Sequence, residues 1–254
     1  MKANTYGKTV KDWNSTKVTT LVDNDVWMRG LASSGGLSLY VEIDSGEERH
    51  RILMDTSGSF DVLLKNARKL GVNLSDVEAV FVSHWHLDHC GSLSHVLPLL
   101  RQQTPVYVPS KSSSGIKTIR EAEGTPIVCS DPVYLMDGMI STGEMGGDVS
   151  EHSLTINMRD KGLVILSGCA HPGIINIVKR AQLVSGVSRV YAVIGGFHIS
   201  SKREGAYVAE FLHELGVKLV SPCHCTGVNA KEAIADIMKG NCIKNGSGKV
   251  LSID

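Results

Sequence analysis

The sequence predicts a mixed α/β fold with two β-containing layers covered by helices. Short apolar runs dominate the early part of the chain, and later apolar runs alternate with segments of helical periodicity. No low-complexity tract, obvious linker or fixed-period repeat interrupts the 254 residues. Reactive side chains repeatedly follow the apolar runs, which is typical of ligand sites at strand ends in α/β folds.

The first half of the chain contains four predicted strands and one predicted helix. The strands are rich in β-branched or aromatic residues, and the segment "SGEE" supplies a turn between the second and the third. The helix is closed by Gly71. The strands are predicted over residues 17–22, 37–43, 50–55 and 77–83, and the helix over 60–71.

The second half alternates between strands and helices. The charged turn "RDKG" joins two predicted strands into a hairpin. Pro172 suits a first helical position, and Ser201 with Glu204 forms a capping box at the start of another helix. Strands are predicted over 153–158, 162–168, 190–196, 217–222 and 248–253, and helices over 172–186, 201–216 and 229–240.

Composition and the polar N-terminal segment limit the location and partners of the protein. Residues 1–16 are predicted to be a flexible extension, and 17–254 a single domain. Twenty-six basic residues balance twenty-six acidic ones, so we expect no nucleic-acid partner. No apolar run approaches the roughly 18 to 20 residues that cross a bilayer, and no secretory signal is present. We therefore expect a cytoplasmic protein with reduced cysteines and no membrane partner.

The segment "VFVSHWHLDHC" concentrates metal-binding side chains directly after an apolar strand. His84 and His86 lie two residues apart, which places both on one face if the strand continues. Asp88 and His89 would then lie in the following turn and reach a second position. The alternative is a set of polar loop residues, but three of the ten histidines of the chain fall within six positions here.

Three further histidines follow later strands. His171 comes after 162–168, His198 after 190–196, and His224 after 217–222. Side chains at the carboxyl ends of neighbouring strands converge on one edge of a sheet. Taken alone, His171 and His224 could equally be structural residues, and His198 could be a metal ligand or a substrate contact.

Imidazole nitrogen and carboxylate oxygen together suit zinc, iron or manganese. Two ligand groups that face different ways suit two ions about 3.5–4 Å apart. We therefore expect one or two divalent metal ions per chain, with zinc as the first expectation. Cys169, Cys223 and Cys225 are expected to pack near the site as small, soft side chains rather than to bind metal.

The segment "SHWHLDH" resembles the HxHxDH signature of the metallo-β-lactamase superfamily. The upstream "ILMDTSG" strengthens the resemblance, and Asp55 matches the buried aspartate that supports the metal ligands of that superfamily. The resemblance extends over roughly residues 17 to 254. It implies a four-layer αββα sandwich with the metal ions at one edge of two sheets.

The resemblance also implies which residues bind metal. The first metal position would take His84, His86 and His171, and the second would take Asp88, His89 and His224. In many members an aspartate at the end of a later strand bridges the two metals, and this chain has His198 at the corresponding place. Asp88 and His198 are the residues expected to take part in catalysis.

The segments "SGCAHPGI", "IGGFH" and "PCHCTG" resemble one branch of the superfamily, which includes archaeal dihydropterin–ribofuranosylaminobenzene phosphate synthase. That branch implies a transferase of methanopterin biosynthesis and a small, anionic, pyrophosphate-bearing substrate. Substrate contacts are expected at His198, Thr226 and Gly173, because the helix that starts beside His171 presents backbone N–H groups to an anion. A homo-oligomer is left open.

Two alternatives remain at this stage. The first is a metal-dependent hydrolase of an ester, lactone or phosphodiester, in which Asp88 would orient or deprotonate a metal-bound water. The second is a non-catalytic metal-binding protein. The open coordination that HxHxDH implies argues against the second, because structural zinc sites are closed.

Overall fold

The computed structural model describes residues 12–146 and 149–254, which divide between two compact units. The first unit comprises Asn14–Ser130 together with Asn245–Asp254, and the second comprises Asp131–Lys244 with the segment that ends at Trp13. Within the described ranges, no helix is long and apolar enough to cross a membrane. Most of the predicted extension lies outside the described residues, but Trp13 is buried and β1 (Ser15–Val22) already begins inside it.

The remaining strands are short and run through the whole chain. They are β2 (Ser38–Asp44), β3 (Arg49–Met54), β4 (Ala79–Phe81), β5 (Pro105–Val108), β6 (Thr125–Val128), β7 (Val133–Met136), β8 (Met139–Ser141), β9 (Leu154–Met158), β10 (Gly162–Ser167), β11 (Val190–Gly196), β12 (Leu219–Cys223) and β13 (Val250–Ile253).

The helices mostly follow strands that pair in parallel. They are α1 (Phe60–Lys69), α2 (Leu87–Cys90), α3 (Leu93–Val96), α4 (Ser113–Glu121), α5 (Ile174–Ser185), α6 (Lys202–Glu214) and α7 (Val228–Met238), with short 3-10 turns at Leu74–Asp76, Leu97–Leu99 and Lys239–Asn241.

The first unit contains a seven-stranded sheet in the order β13-β1-β2-β3-β4-β5-β6. The strands from β13 to β3 pair antiparallel, and those from β3 to β6 pair parallel. Helix α1 buries Leu63 and Ala67 in the same apolar cluster as Leu21, Val22 and Leu53 of the sheet. The parallel strands therefore end beside one another, with β4 in the middle of that part of the sheet.

The second unit contains a six-stranded sheet in the order β12-β11-β10-β9-β8-β7. Here β7 to β10 pair antiparallel, and β10, β11 and β12 pair parallel. Ile177 of α5, Val208 and Leu212 of α6, and Ile234 of α7 form one buried cluster with Val193 of the sheet. These helices fix the three parallel strands, so the carboxyl ends of the strands are held side by side.

All thirteen predicted elements are present, with ends shifted by up to two residues. The clearest correction concerns the helix predicted from Pro172, which begins instead at Ile174 after Gly173 in the left-handed region at φ 88°. Residues 94–152 carried no prediction but contain four strands and helix α4. These strands have only three or four residues each, too few to show a clear period.

Candidate metal ligands at the strand ends

Asp55 organises the histidine segment of the first unit. This carboxylate is fully buried, and its Oδ1 accepts the backbone N–H of Ser83 at 2.7 Å. Its Oδ2 accepts the Ser83 hydroxyl at 2.7 Å and lies 2.7 Å from His89 Nδ1. A carboxylate at Nδ1 fixes the ring orientation and directs Nε2 outward, as it does behind metal-bound histidines. The expected supporting position of Asp55 therefore has a direct structural basis.

The imidazoles of the first unit converge on one another. The ring centroids of His84 and His89 are 4.1 Å apart, and those of His84 and His86 are 4.7 Å apart. His84 Nε2 lies 3.1 Å from His86 Nδ1. Two nitrogens bound to one tetrahedral zinc would be about 3.3 Å apart, given zinc–nitrogen bonds of about 2.0–2.1 Å. The pair therefore fits a shared cation with little movement.

Asp88 lies in helix α2 rather than in an open turn. Its Oδ2 is 3.7 Å from His89 Nε2, and 43% of its side chain is exposed. The helix lies close to the chain at Gly36, where an added Cβ would be 2.2 Å from the Asp88 carbonyl oxygen. Gly36 thus allows the approach that sets the position of Asp88 relative to the histidines.

The three reactive turns of the second unit follow parallel strands. Register pairs Ser167 of β10 with Gly195 of β11, and Gly196 with Cys223 of β12. His171, His198 and His224 follow these strands directly, as predicted. Both His198 (φ 50°) and His224 (φ 49°) adopt the left-handed conformation. Non-glycine residues rarely do so, and such strain is concentrated at functional sites.

The ligand atoms of the second unit form two groups that share one residue. Cys169, His171 and His198 offer atoms that all lie within 4.8 Å of one another. Cys169, His224 and Cys225 form a second group by the same measure. The rings of His171 and His198 are tilted at 46° with centroids 4.5 Å apart. Cys169 was expected to pack beside the ligands, but its sulfur lies among them.

Glu151 was not predicted from the sequence, yet it holds the turn that carries Cys169 and His171. Its carboxylate is fully buried. Its Oε1 accepts the backbone N–H groups of Gly168, Cys169 and Ala170 at 3.1, 3.0 and 2.9 Å. Its Oε2 accepts that of His171 at 2.8 Å. An acceptor-only side chain with four donors suits an ionised carboxylate.

Cys225 lies in an environment that favours its thiolate. A hydrogen bond with the side chain of Cys169 lowers the pKa of Cys225 to about 7, and contacts with His198 act in the same direction against the opposing effect of burial. Its Sγ lies 3.6 Å from the Cys169 carbonyl oxygen. The thiol is therefore poised to ionise near neutral pH.

A cavity of about 410 Å³ opens beside His171 and His198 within the second unit. Its apolar wall includes Phe197 and Val208, which are buried. Its polar lining is formed by Asn176, Lys179, Glu204 and Tyr207. Its size falls within the usual range of small-molecule sites.

The predicted substrate contacts differ in their placement. His198 and Gly173 line the cavity, but the Gly173 N–H already donates to the Ala170 carbonyl at 2.8 Å. Thr226 is buried, and its hydroxyl accepts the Phe197 N–H at 3.0 Å. Helix α7 has Gly227 at its N-cap, so Thr226 does not cap it. Thr226 thus supports the chain next to His198 and is not among the cavity-lining residues.

Comparison with known proteins identifies similar sequences. A family model described as "Beta-lactamase superfamily domain" matches residues 50–134. The chain is 29% identical, over 86% of its length and 90% of the relative, to 7,8-dihydropterin-6-methyl-4-(β-D-ribofuranosyl)-aminobenzene-5'-phosphate synthase of Methanocaldococcus jannaschii. The resemblance to this branch of the metallo-β-lactamase superfamily is confirmed.

Solved structures show the same fold. A metal-dependent hydrolase of the β-lactamase superfamily superposes with a TM-score of 0.74 at 26% identity, covering 93% of this chain and 98% of that one. A metallo-β-lactamase fold protein from Bacillus subtilis gives a TM-score of 0.62 at 15% identity, covering 94% and 100%. The predicted fold class is therefore confirmed. The synthase at 29% identity and the hydrolase at 26% identity are both enzymes by name.

Proposed function

We propose that this protein is a metal-dependent transferase that acts on a small phosphate- or pyrophosphate-bearing metabolite, and its relative at 29% identity is named a phosphate synthase. The observation that carries the proposal is the pairing of His89 with the buried Asp55 beside the converging nitrogens of His84 and His86. Such an arrangement presents several imidazole nitrogens in one direction, which is the chemistry of a transition-metal or zinc site.

The proposed ligand sets are those that the superfamily resemblance implies. In the first unit these ligands are His84, His86, Asp88 and His89, and in the second unit they are His171 and His224. The donors fit this role because all are imidazole nitrogens or a carboxylate oxygen. Zinc is the first choice, with iron or manganese as alternatives.

A bound divalent cation would supply Lewis acidity toward a pyrophosphate leaving group. Asp88 is half exposed beside His89, so its carboxylate can orient the incoming nucleophile. His198 is exposed next to His171, and its imidazole can accept or return a proton at the reacting group.

The cavity beside His171 and His198 supports a substrate with an apolar body and an anionic group. Its buried wall of Phe197 and Val208 suits a flat ring system, and Tyr207 has an exposed ring at the edge. The ammonium of Lys179 offers a positive charge. A dihydropterin pyrophosphate has both features, which is why we place this substrate class here.

The test combines metal analysis with a turnover assay. Protein purified without oxygen should contain about two divalent ions per chain and should condense a dihydropterin pyrophosphate with a ribofuranosylaminobenzene phosphate. Removal of the metal with a chelator should abolish the reaction. Adding back the metal ion that was found in the purified protein should restore it. An absence of bound metal in the native protein would overturn the proposal. Metal without turnover on any substrate tested would favour a metal-binding protein.

A hydrolase is the second candidate because the structural relative at 26% identity is named a metal-dependent hydrolase. The two reactions differ in the nucleophile, which is water in one and an arylamine or its ring in the other. Incubating the pyrophosphate substrate alone separates them. Release of pyrophosphate without the aromatic acceptor would identify hydrolysis, whereas strict dependence on the acceptor would identify transfer.

A further inference from the structure

We propose that Cys169 and Cys225 form a reversible oxidation site, at which a hydroperoxide joins the two thiols as a disulfide. Both residues belong to the second unit, and each lies two residues beyond the end of a parallel strand, β10 for Cys169 and β12 for Cys225. The pairing itself requires neither metal nor substrate. One consequence, a weaker hold of His224 on metal, rests on the proposed function.

The two sulfur atoms meet at the end of β11, the strand that separates β10 from β12. They lie within 4.8 Å of each other, and a hydrogen bond joins the two side chains. Gly196, the last residue of β11, leaves room for this approach. A Cβ at that position would lie 2.7 Å from Cys225 Sγ and 3.3 Å from Cys169 Cα. Because a disulfide bond measures about 2.05 Å, closure must shorten the sulfur–sulfur separation by less than about 3 Å.

The exposure of the two thiols sets the order of the reaction. Cys225 is half-buried, whereas Cys169 is 3% exposed. The peroxide therefore reaches Cys225 first, whose sulfur takes one oxygen from ROOH and becomes a sulfenic acid while ROH leaves. The Cys169 thiol then attacks that sulfur, so that the S–S bond forms, the S–O bond breaks, and water leaves with the thiol proton. Two thiols and one ROOH thus give one disulfide, one ROH and one water.

The other two cysteines of the second unit provide a comparison. Cys223 is fully buried. Cys242 is half-buried like Cys225, but it packs against the apolar cluster and belongs to no cluster of ligand atoms within the described ranges. Exposure alone would favour Cys225 and Cys242 equally. The thiol of Cys169 is what distinguishes Cys225, because a neighbouring thiol converts a sulfenic acid into a disulfide.

Closure of the disulfide should displace one of the two turns more than the other. Glu151 accepts the backbone N–H groups of 168–171 and thereby fixes the turn of Cys169. The turn of Cys225 yields instead, and it carries His224, which is already strained at φ 49°. If His224 binds metal as proposed above, the disulfide should weaken zinc binding about tenfold or more, as displacement of ligand-orienting groups does.

Peptide mapping by tandem mass spectrometry tests the proposal on zinc-loaded protein. Hydrogen peroxide should link the peptides that carry Cys169 and Cys225, and dithiothreitol should separate them. Cys242 in the same digest should remain a thiol. Cys169→Ser should give no link and should leave Cys225 to oxidise further to a sulfinic acid. Cys223→Ser, the matched control two residues from Cys225, should still form the link.

Oxidation of Cys225 to a sulfinic acid in the wild type, without a link to Cys169, would overturn the proposal, and so would a link between Cys169 and Cys223. The wild-type digest decides this even if a variant does not fold. Competition with a chelator then compares the zinc affinity of reduced and oxidised protein, and equal affinities would contradict the displacement of His224. A reduced protein that binds no zinc would overturn the proposed function, whereas the linked peptides would still report the cysteine pair.

Discussion

Two buried carboxylates hold the proposed ligands from behind, one in each unit. Asp55 contacts Ser83 and His89 of the first unit, and Glu151 holds the turn with Cys169 and His171 in the second. Asp55 acts on a ligand ring, whereas Glu151 acts on the backbone. In both cases a charge that is costly to bury is kept because several donors compensate it.

Replacement of Glu151 by glutamine should weaken metal binding without unfolding the protein. The amide NH₂ of glutamine would face at least one backbone N–H, that of His171. Because both groups are hydrogen-bond donors, the turn would shift. We expect the metal dissociation constant to rise roughly 10–100-fold, as is typical when the groups that orient metal ligands are changed. Competition with a chelator measures it, and circular dichroism reports the fold.

Glu144→Gln is the matched control for Glu151→Gln. It makes the same chemical change in the same connection between β8 and β9, but Glu144 is exposed and accepts the Ser150 hydroxyl rather than a row of backbone N–H groups. Metal affinity equal to that of the wild type in both variants would show that Glu151 does not position the ligands.

Lys179 should contribute to the affinity for an anionic substrate. Lys179→Gln should raise KM about fivefold with little change in kcat, because an exposed ion pair contributes up to about 1 kcal/mol. Salt should reduce the difference, since exposed charges are screened. Lys161→Gln is the control, because Lys161 lies over the ring of Tyr191, as Lys179 lies over that of Phe211, but Lys161 does not line the cavity. Equal effects of the two changes would contradict a specific contact.

At the scale of elements, the strand followed by a reactive turn is the repeated unit, and it is largely predictable. His84, His171, His198 and His224 were each placed after a strand from the apolar run before them, because burial in a sheet leaves a local pattern. Glu151 left no such pattern. Its partners lie 17 to 20 residues away, and only the path of the backbone brings their N–H groups to one carboxylate.

The capping box of α6 was predicted from sequence and is confirmed, because its whole geometry lies within four residues. Ser201 accepts the Glu204 N–H at 3.2 Å, and the Glu204 carboxylate accepts the Ser201 N–H at 3.0 Å. Hydrogen bonds from the Ser201 side chain, and then from its backbone, lower the pKa of Glu204. A lowered pKa in the folded state stabilises the protein above the ordinary pKa of glutamate, and this stability is lost as the pH falls.

Ser201→Ala should therefore lower Tm by about 2–4 °C near neutral pH, as expected for loss of a serine N-cap in a chain of this size. The gap to the wild type should narrow in acid, as Glu204 becomes protonated. Thermal scans at several pH values measure it. Ser200→Ala is the control, because the Ser200 N–H that donates to Glu204 is backbone and is retained. A gap that widens in acid would contradict the assignment.

At the scale of the whole molecule, the two sheets share one plan. Each sheet has antiparallel strands on one side and parallel strands on the other. The first sheet has three parallel strand pairs and the second has two. In each sheet the reactive residues follow the parallel strands. The fold class was predictable because hydrophobic periodicity and the HxHxDH resemblance agreed. The division of strands between the sheets was not, because β5 to β8 carried no prediction and they straddle the boundary between the units.

Strand β13 completes the first sheet by pairing with β1, with Leu251 opposite Val18 and Ile253 opposite Thr16. Leu251 and Ile253 are both buried. Removal of residues 250–254 should lower the free energy of unfolding by at least about 3 kcal/mol, counting about 1.5 kcal/mol for each lost side chain. It should also promote aggregation, because β1 becomes an open edge. Denaturant titration measures the loss.

Removal of exposed Asp254 alone is the control and should leave the unfolding free energy nearly unchanged. If the longer deletion were equally harmless, β13 would add nothing to the stability of the sheet.

The position of β13 has a consequence for how the protein is made. The two segments of the first unit are translated at different times. Asn14–Ser130 is made early, and Asn245–Asp254 is made only after Asp131–Lys244 of the second unit. During that interval β1 waits at the edge of an unfinished sheet, open to mispairing with neighbouring nascent chains. The strands of the second unit, β7 to β12, all lie within Asp131–Lys244 and are translated without interruption, so none of them has such a wait. In chains that end just before residue 245, the second unit should therefore resist proteolysis more strongly than the first unit.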